Sequence, residues 1–321
     1  MIPRANQFRT ALGRWFEAHG RRGLPWRGNP DPYAVLVSEF MLQQTTVAAV
    51  IPYFQRWMRT FPNPGALASA PEERVLKLWE GLGYYSRARN LQRAAVAIVR
   101  DHGGRVPADP DRLRSLPGVG PYTAAAVAAF AFDQPVVVLD ANISRVIARL
   151  DDLRMPIDSA GGKARLAEVA GGLLPESGGA AHTAALMDLG ATICRAGEPL
   201  CNECPVRKWC RAENPAELPV KRPKSSFISE EEFRVLARRR DRVFLIESPG
   251  PRWRGLWILP PGRPPGDPVV ELDYVVTRHK IHLEVRRSEP QAGWTGFPLQ
   301  DLPAMPTAHR KAVWIAAGRA Y

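Results

Sequence analysis

Four cysteines in one short window constrain the fold of this chain more than any other feature. They are the only cysteines among its 321 residues, and six, two and five residues separate Cys194, Cys201, Cys204 and Cys210. Four thiolates so close along the chain can surround one metal centre, and such a set suits a [4Fe–4S] cluster or a structural zinc ion. Zinc sites usually show two Cys-x-x-Cys pairs, and this window has one. The window 194–210 therefore predicts a metal-bound loop and favours an iron–sulfur cluster, with zinc or a chance grouping of thiols as alternatives.

The net charge of the chain indicates which kinds of binding partner are favoured. Its 44 Lys and Arg outnumber its 32 Asp and Glu, which gives a formal net charge of +12. Such an excess favours nucleic acid or an anionic membrane surface, although a genome that uses arginine freely would produce it too. No apolar run approaches the roughly 20 residues of a membrane helix, and the start lacks the apolar stretch of a signal peptide. We expect a cytoplasmic protein without a membrane partner or structural disulfides.

The residue composition and apolar periodicity of the sequence change once along the chain. From residue 5 to about 212, apolar residues recur at three- and four-residue spacing, as at Val75, Leu78 and Trp79, which predicts helices. A segment rich in proline and lysine follows, and beyond it residues 232–247 and 272–287 have the composition of strands. We predict a helical domain over 1–212, a linker over 213–227 and a small α+β domain over 228–321.

Residues 112–126 predict a helix, a tight turn and a second helix. Gly118 and Gly120 flank Val119 in the turn, and glycine tolerates backbone conformations that other residues resist. The second helix would begin near Pro121, with its positive dipole end free to bind a phosphate. An ordinary turn between two helices is the alternative. As a phosphate site, the turn would position DNA without reading its sequence.

Two carboxylates stand in apolar surroundings. Asp140 follows the apolar run 136–139, and this position suits either a helix N-cap or a half-buried functional carboxylate. Glu39 precedes Phe40, Met41 and Leu42, so it is predicted to be buried, although a solvated helix residue is the alternative. Both are candidate catalytic groups.

Several segments together resemble one family of DNA-repair enzymes. They are Leu24–Arg27 (LPWR), Ser38–Thr45 (SEFMLQQT), Gly81–Asn90 (GLGYYSRARN) and Met187–Cys194 (MDLGATIC). With the hairpin and Asp140, they resemble the A/G-mismatch-specific adenine DNA glycosylases (the MutY family) of the endonuclease III superfamily. The cysteine spacing is similar to the cluster loop of that superfamily. The resemblance is dense over 5–212 and loose beyond.

The resemblance implies a fold, a cofactor and a partner. The fold would be mainly α: a helix-hairpin-helix glycosylase domain with a [4Fe–4S] cluster loop, plus a small C-terminal α+β domain resembling the Nudix fold. One [4Fe–4S] cluster would be held by the four cysteines. The partner would be double-stranded DNA containing a mismatch or an oxidised guanine, which implies association with the nucleoid. Because no heptad pattern suggests assembly, we expect a monomer.

The resemblance also implies catalytic roles. Glu39 would protonate the departing adenine while Asp140 stays ionised and stabilises the sugar cation, with Tyr122, Asn142 and Arg27 in support. Glycosidic cleavage needs such an acid and anion, and burial can raise the pKa of a carboxyl enough for it to act near neutral pH. Relatives that also cleave the strand carry a lysine where this chain has Tyr122, so base removal without efficient strand cleavage is predicted.

A third set of residues would contact DNA. A base inside the duplex must be extruded before it can react. By resemblance, Gln44 fills the gap, with Leu42 and Tyr84 beside it; a plain polar helix face is the alternative for Gln43 and Gln44. The remaining predicted contacts are Gln43, Arg87, Gly118, Val119, Gly120, and Arg207, Lys208 and Arg211 of the cysteine window.

The C-terminal residues match the family less closely. Gly255–Pro260 resembles a strand motif of its Nudix-like domain, but the acidic box of hydrolytic Nudix enzymes is absent, which predicts binding alone. Where the family usually has Phe-Ser-His, this chain has Thr277, Arg278 and His279. By resemblance Arg278 and His279 would both contact DNA, Arg278 at phosphate or at guanine O6/N7.

Three hypotheses for function follow. Removal of adenine opposite 8-oxoguanine or guanine is the first. Ala141 stands where the adenine enzymes usually have glycine, and an Asp-Ala-Asn string also occurs in mismatch thymine glycosylases. Together with Arg278, this keeps removal of thymine or uracil opposite guanine as the second. A non-catalytic DNA-binding iron–sulfur protein is the third, and the presence of both carboxylates opposes it.

Overall fold

The computed structural model describes residues 5–29, 31–223 and 226–319. Within these ranges the chain forms two units. The first comprises the residues up to 69 and residues 90–223, and the second comprises residues 70–89 and the residues after 223. Residues 224 and 225 of the predicted linker lie outside the described residues.

The placement of residues 70–89 differs from the linear division predicted above. Their contacts explain the difference: the Tyr85 hydroxyl donates to the Met305 carbonyl at 2.8 Å, and Arg310 Nε donates to Glu80 Oε1 at 2.6 Å. Interactions between residues this distant in sequence leave no local pattern. The helical periodicity of residues 70–89 therefore predicted that they belong to the helical domain.

The residues before the sheet are mainly helical, as the apolar spacing predicted. The helices are α1 (Ala5–His19), α2 (Pro32–Leu42), α3 (Val47–Thr60), α4 (Pro64–Ala68), α5 (Glu72–Trp79), α6 (Ser86–His102), α7 (Pro110–Ser115), α8 (Pro121–Phe132), α9 (Ala141–Leu150), α10 (Ala160–Gly171) and α11 (Gly179–Thr192). Fully buried apolar residues of α1, α9 and α11, such as Leu12, Ile147 and Leu189, pack into the core of the first unit. In the described part of the chain, no helix has the length and apolarity required to cross a membrane.

The predicted helix–turn–helix is formed by α7 and α8. Gly118 has φ +77°, and a Cβ at this position would lie 2.5 Å from the Asn90 Cβ, so both backbone conformation and space require glycine. Gly120 is the N-cap of α8, and no side chain among the described residues caps that helix. Its first amides therefore remain available to an anion.

The second unit contains a six-stranded mixed sheet, which confirms the α+β expectation. The strands are β1 (Ile228–Arg239), β2 (Arg242–Glu247), β3 (Trp257–Ile258), β4 (Val270–Val276), β5 (His279–Ser288) and β6 (Thr295–Pro298). Their order is β3-β2-β1-β5-β4, with β6 on β2; β1 and β5 are parallel and the other pairs antiparallel. Helix α12 (Thr307–Ala316) completes the core, where its Val313 packs with Leu245 and Leu283.

Candidate active site

Residues predicted from separate segments meet at one pocket of the first unit. The pocket has a volume of about 920 Å³. The predicted catalytic and DNA-contacting residues that line it are Arg27, Glu39, Leu42, Gln43, Gln44, Tyr122, Asp140 and Asn142. Helices α2, α8 and α9 bring most of these side chains together. The pocket thus combines two carboxyl groups with hydrogen-bonding side chains.

Glu39 lies on α2 and is only 5% exposed. This helix is apolar on all sides, so its one carboxyl group is buried with its neighbours. Burial raises the pKa of Glu39 to about 7; a hydrogen bond with Tyr122 opposes the rise, and the charge of Asp140 adds to it. The carboxyl group can therefore carry a proton near neutral pH.

Asp140 is the N-cap of α9, so the capping role is confirmed. Its Oδ1 accepts from the Ile143 amide at 2.6 Å, and its Oδ2 accepts from Asn142 Nδ2 at 3.1 Å. Burial raises the pKa of Asp140, while these two hydrogen bonds and the charge of Arg145 oppose the rise. Capping and a functional role are compatible, because the carboxylate also lines the pocket.

Arg145 connects this site to the cysteine window, and the sequence did not reveal it. Its guanidinium donates from NH2 to Asn142 Oδ1 at 2.9 Å and from Nε to the Cys194 carbonyl at 2.8 Å. Asn142 in turn donates to Asp140. A chain of hydrogen bonds therefore runs from Asp140 to the first cysteine of the window.

The four cysteine side chains are all partly buried. Burial raises the pKa of Cys204 to about 11, and the charges of Cys194, Cys210 and Cys201 raise it further, so the four thiols influence one another. Among the described residues, no group of His, Cys, Asp or Glu is arranged around a single metal ion.

Asp188 is a second group that the sequence did not single out. It is fully buried and accepts from Arg27 NH1 at 2.6 Å, from the Arg21 amide at 2.8 Å and from Arg21 Nε at 2.8 Å. Burial alone would raise its pKa, but the bonds from Arg27 and Arg21 hold it below the usual value. Asp188 thereby fixes Arg27 at the pocket. The one sequence feature that could have identified Asp188 is that it is a single carboxylate among the apolar residues 186–189.

Replacing Asp188 with asparagine is expected to destabilise the protein. Breaking a buried ion pair costs about 3 kcal/mol or more, which lowers Tm by about 6 °C in a domain of this size. Thermal unfolding tests this. The matched control is Asp111→Asn, because Asp111 is 92% exposed in its ion pair with Arg114, and its Tm should stay within about 1 °C. Equal Tm values for both variants would contradict the role given to Asp188.

Two predicted DNA contacts are buried instead. Arg87 is 7% exposed and donates to the carbonyls of Leu82 and Gly83 at 2.9 and 3.1 Å, with its guanidinium 5.6 Å from the centre of the Tyr84 ring. It supports the turn that carries Tyr84, which is 42% exposed with φ +46°. The Val119 side chain is also buried at 6% exposure, and its amide donates within the turn to Leu116.

The other predicted contacts are exposed or partly buried. Gln44 is exposed and has φ +55°, whereas Gln43 Nε2 donates to Thr123 Oγ1 at 3.4 Å. Arg278 stands in the two-residue turn between β4 and β5, where Thr277 has φ +55°. His279 follows, with its Nδ1 2.6 Å from Glu230 Oε1.

Comparisons with known proteins agree on one superfamily. Residues 37–158 match the model of the HhH-GPD superfamily of base excision DNA repair proteins. An adenine DNA glycosylase of Mycolicibacterium smegmatis is 41% identical over 65% of this chain and 71% of its own length. The adenine DNA glycosylase of Rattus norvegicus is 45% identical over 64% of this chain. The match spans 41% of the rat protein's length.

Solved structures show the same helical fold. A thermostable thymine-DNA glycosylase matches with a TM-score of 0.57 at 30% identity, over 64% of this chain and 95% of its own. Endonuclease III in a trapped covalent complex with DNA matches with a TM-score of 0.54 at 25% identity, over the same shares.

Proposed function

Because the chain belongs to the adenine DNA glycosylase family, we propose that it is a base-excision-repair enzyme that hydrolyses the N-glycosidic bond of adenine mispaired with 8-oxoguanine or guanine. The observation that carries the proposal is the buried Glu39, whose pKa is about 7, in one pocket with Asp140. Two carboxyl groups with different environments are what an acid-assisted glycosidic cleavage requires.

The proposed reaction uses the two carboxyl groups in different roles. As the C1′–N bond breaks, its electrons pass to the base and Glu39 delivers its proton to a ring nitrogen of adenine. The sugar gains cationic character, which the Asp140 carboxylate stabilises until water adds at C1′ and gives its proton to the carboxylate of Glu39. Asn142 and the Ile143 amide hold Asp140 for this role. Tyr122 forms a hydrogen bond with Glu39. Arg27 is held in position by its ion pair with Asp188.

DNA would bind through the exposed groups described above. The uncapped start of α8 suits a backbone phosphate. Gln44 lines the pocket and is exposed, which suits insertion into the space left by an extruded base. The second unit would act as a shortened Nudix-like recognition domain, with Arg278 in an exposed hairpin turn.

We further propose that Cys194, Cys201, Cys204 and Cys210 hold one [4Fe–4S] cluster. The four cysteines fit such a cluster, because their thiols interact with one another. In addition, the guanidinium NH1 of Arg149 lies 3.4 Å from Cys194 Sγ. When bound, the cluster would supply rigidity to the 194–210 loop. Iron and sulfide analysis of protein purified without oxygen should give four irons per chain, whereas one zinc would contradict the cluster.

The second candidate is removal of thymine or uracil opposite guanine. It is favoured by Ala141 and by the structural match to a thymine-DNA glycosylase at 30% identity. Both candidates need Asp140, so only the released base separates them. Free adenine in the reaction supernatant, identified by mass spectrometry, supports the first, and free thymine or uracil supports the second.

Base removal without strand cleavage is the expected outcome in either case. The phenol of Tyr122 cannot form a Schiff base with the sugar. Nicked DNA should therefore appear only after alkali treatment of the reacted duplex, and borohydride should trap no protein–DNA adduct. A Tyr122→Lys variant provides the positive control for trapping. Efficient nicking by the native protein without alkali would contradict this expectation.

A further inference from the structure

Five arginines lie at or beside the turn between β1 and β2 in the second unit. Strand β1 ends with Arg238 and Arg239, β2 begins at Arg242, and the two-residue turn between the strands contains Arg240. Arg287 lies near the end of the neighbouring strand β5. All five side chains belong to exposed residues. These five residues are called the arginine cluster below.

Carboxylates neutralise little of the charge of this cluster. Among the described residues, Arg239 is the one member that forms an ion pair, with Glu289 at 3.7 Å. The two side chains are 67% and 87% exposed, so water and salt screen their attraction. The turn also contains Asp241, which is exposed. Five positive charges therefore stand beside two negative ones.

Two members of the cluster lie directly opposite each other. Arg239 pairs with Arg242 in the antiparallel register, and like charges at such positions disfavour the hairpin. Arg238 Nε donates to the Arg240 carbonyl at 2.9 Å, and Arg242 NH2 donates to the Gly296 carbonyl. These bonds orient the guanidinium groups but leave their positive charge unpaired. The arrangement therefore suits a ligand that carries several negative charges.

The cluster occupies both faces of the hairpin. Side chains alternate between the faces along a strand, so Arg238 lies on one face and Arg239 on the other. Arg287 shares the face of Arg238, because it is in register with Leu236, two residues earlier on β1. The pairing of β1 with β5 ends at Ala237, so the hairpin turn extends past β5. A partner must bend around the turn to reach all five charges.

The shape and position of the cluster favour a flexible acidic chain over nucleic acid. A DNA duplex is stiff over about 150 bp and can lie against only one face of the hairpin. Single strands are bound by aromatic rings beside cations, and residues 238–242 contain no aromatic ring. Arg278, the predicted DNA contact, lies at the other end of β1, where its carbonyl accepts from the Ile228 amide. About 35 Å of strand separates that end from Arg239.

We propose that the arginine cluster binds an acidic, unstructured segment of another protein. Such a segment is flexible enough to follow both faces of the hairpin, and its carboxylates would form paired hydrogen bonds with the guanidinium groups. Binding should weaken as the salt concentration rises, because the contacts are exposed. The cluster is independent of the proposed reaction, and only its separation from the bound DNA relies on the proposed contact at Arg278.

The test uses the full chain and the fluorescence anisotropy of a labelled poly-aspartate peptide. Combining Arg239→Gln with Arg242→Gln should weaken peptide binding about 10-fold, because two exposed charge contacts are lost. The matched control combines Arg59→Gln with Arg93→Gln, which removes the same charge from exposed positions of α3 and α6. The control should keep the native affinity within about twofold. Should the double variant fail to fold, Arg287→Gln alone should also weaken binding.

Nucleic acid is tested with the same variants. The hairpin variants should keep the native rate of single-turnover base release and the native affinity for a mismatch duplex and for a single strand. Any loss of duplex or single-strand affinity would assign the cluster to nucleic acid instead. Absence of peptide binding by the native protein, or equal weakening in the matched control, would also overturn the proposal. If the native protein releases no base but the peptide results hold, the proposed function fails and the peptide site stands.

Discussion

Replacing Asp140 with asparagine is expected to abolish base release while leaving DNA binding intact. Asparagine is an equally good N-cap, so the bond to the Ile143 amide and the start of α9 should survive. The variant loses only the negative charge that, in the proposed mechanism, stabilises the sugar cation. We expect the single-turnover rate to fall by about 10³-fold or more, equivalent to about 4 kcal/mol.

A matched control separates charge from capping. Asp109 is the N-cap of α7 and accepts from the Arg112 amide at 2.9 Å, yet it does not line the pocket. Asp109→Asn should therefore release base at the native rate. Mismatch-duplex affinity, measured by fluorescence anisotropy, should be similar for both variants. An Asp140→Asn variant that retains its rate would remove Asp140 from the mechanism.

The rate of base release is expected to fall as pH rises through about 7. In the proposed mechanism Glu39 acts only when protonated, and burial raises its pKa to about 7. The single-turnover rate should be flat well below that value and decline about tenfold per pH unit above it. Glu39→Gln cannot donate a proton and should lose about 10²–10⁴-fold in rate.

Replacing Tyr122 tests the direction in which this pH dependence shifts. Its hydrogen bond lowers the pKa of Glu39, so Tyr122→Phe should raise that pKa and move the declining limb to higher pH. Rates measured from pH 5 to 9 on one mismatch duplex locate the limb in each protein. A limb that stays in place, or moves to lower pH, would contradict the coupling.

Local patterns were enough to predict the helices, the hairpin and both carboxylates. Gly118 could be identified because a tight turn restricts residue choice at one position, and Glu39 because its neighbours are apolar. Asp188 and Arg145 act through partners 161 and 49 residues away, and such pairings leave no periodic signal. The same reason explains why the burial of Arg87 was not predicted. Its positive charge suggested phosphate, but nothing local showed that the turn at Leu82 and Gly83 would enclose it.

The most direct test of the proposed function is single-turnover base release on a panel of duplexes. The panel contains adenine opposite 8-oxoguanine, guanine or cytosine, and thymine or uracil opposite guanine. We expect rapid release of adenine opposite 8-oxoguanine or guanine, little opposite cytosine, and none of either pyrimidine. Release of thymine or uracil with adenine left intact would contradict the account and assign the pocket of Glu39 and Asp140 to another base.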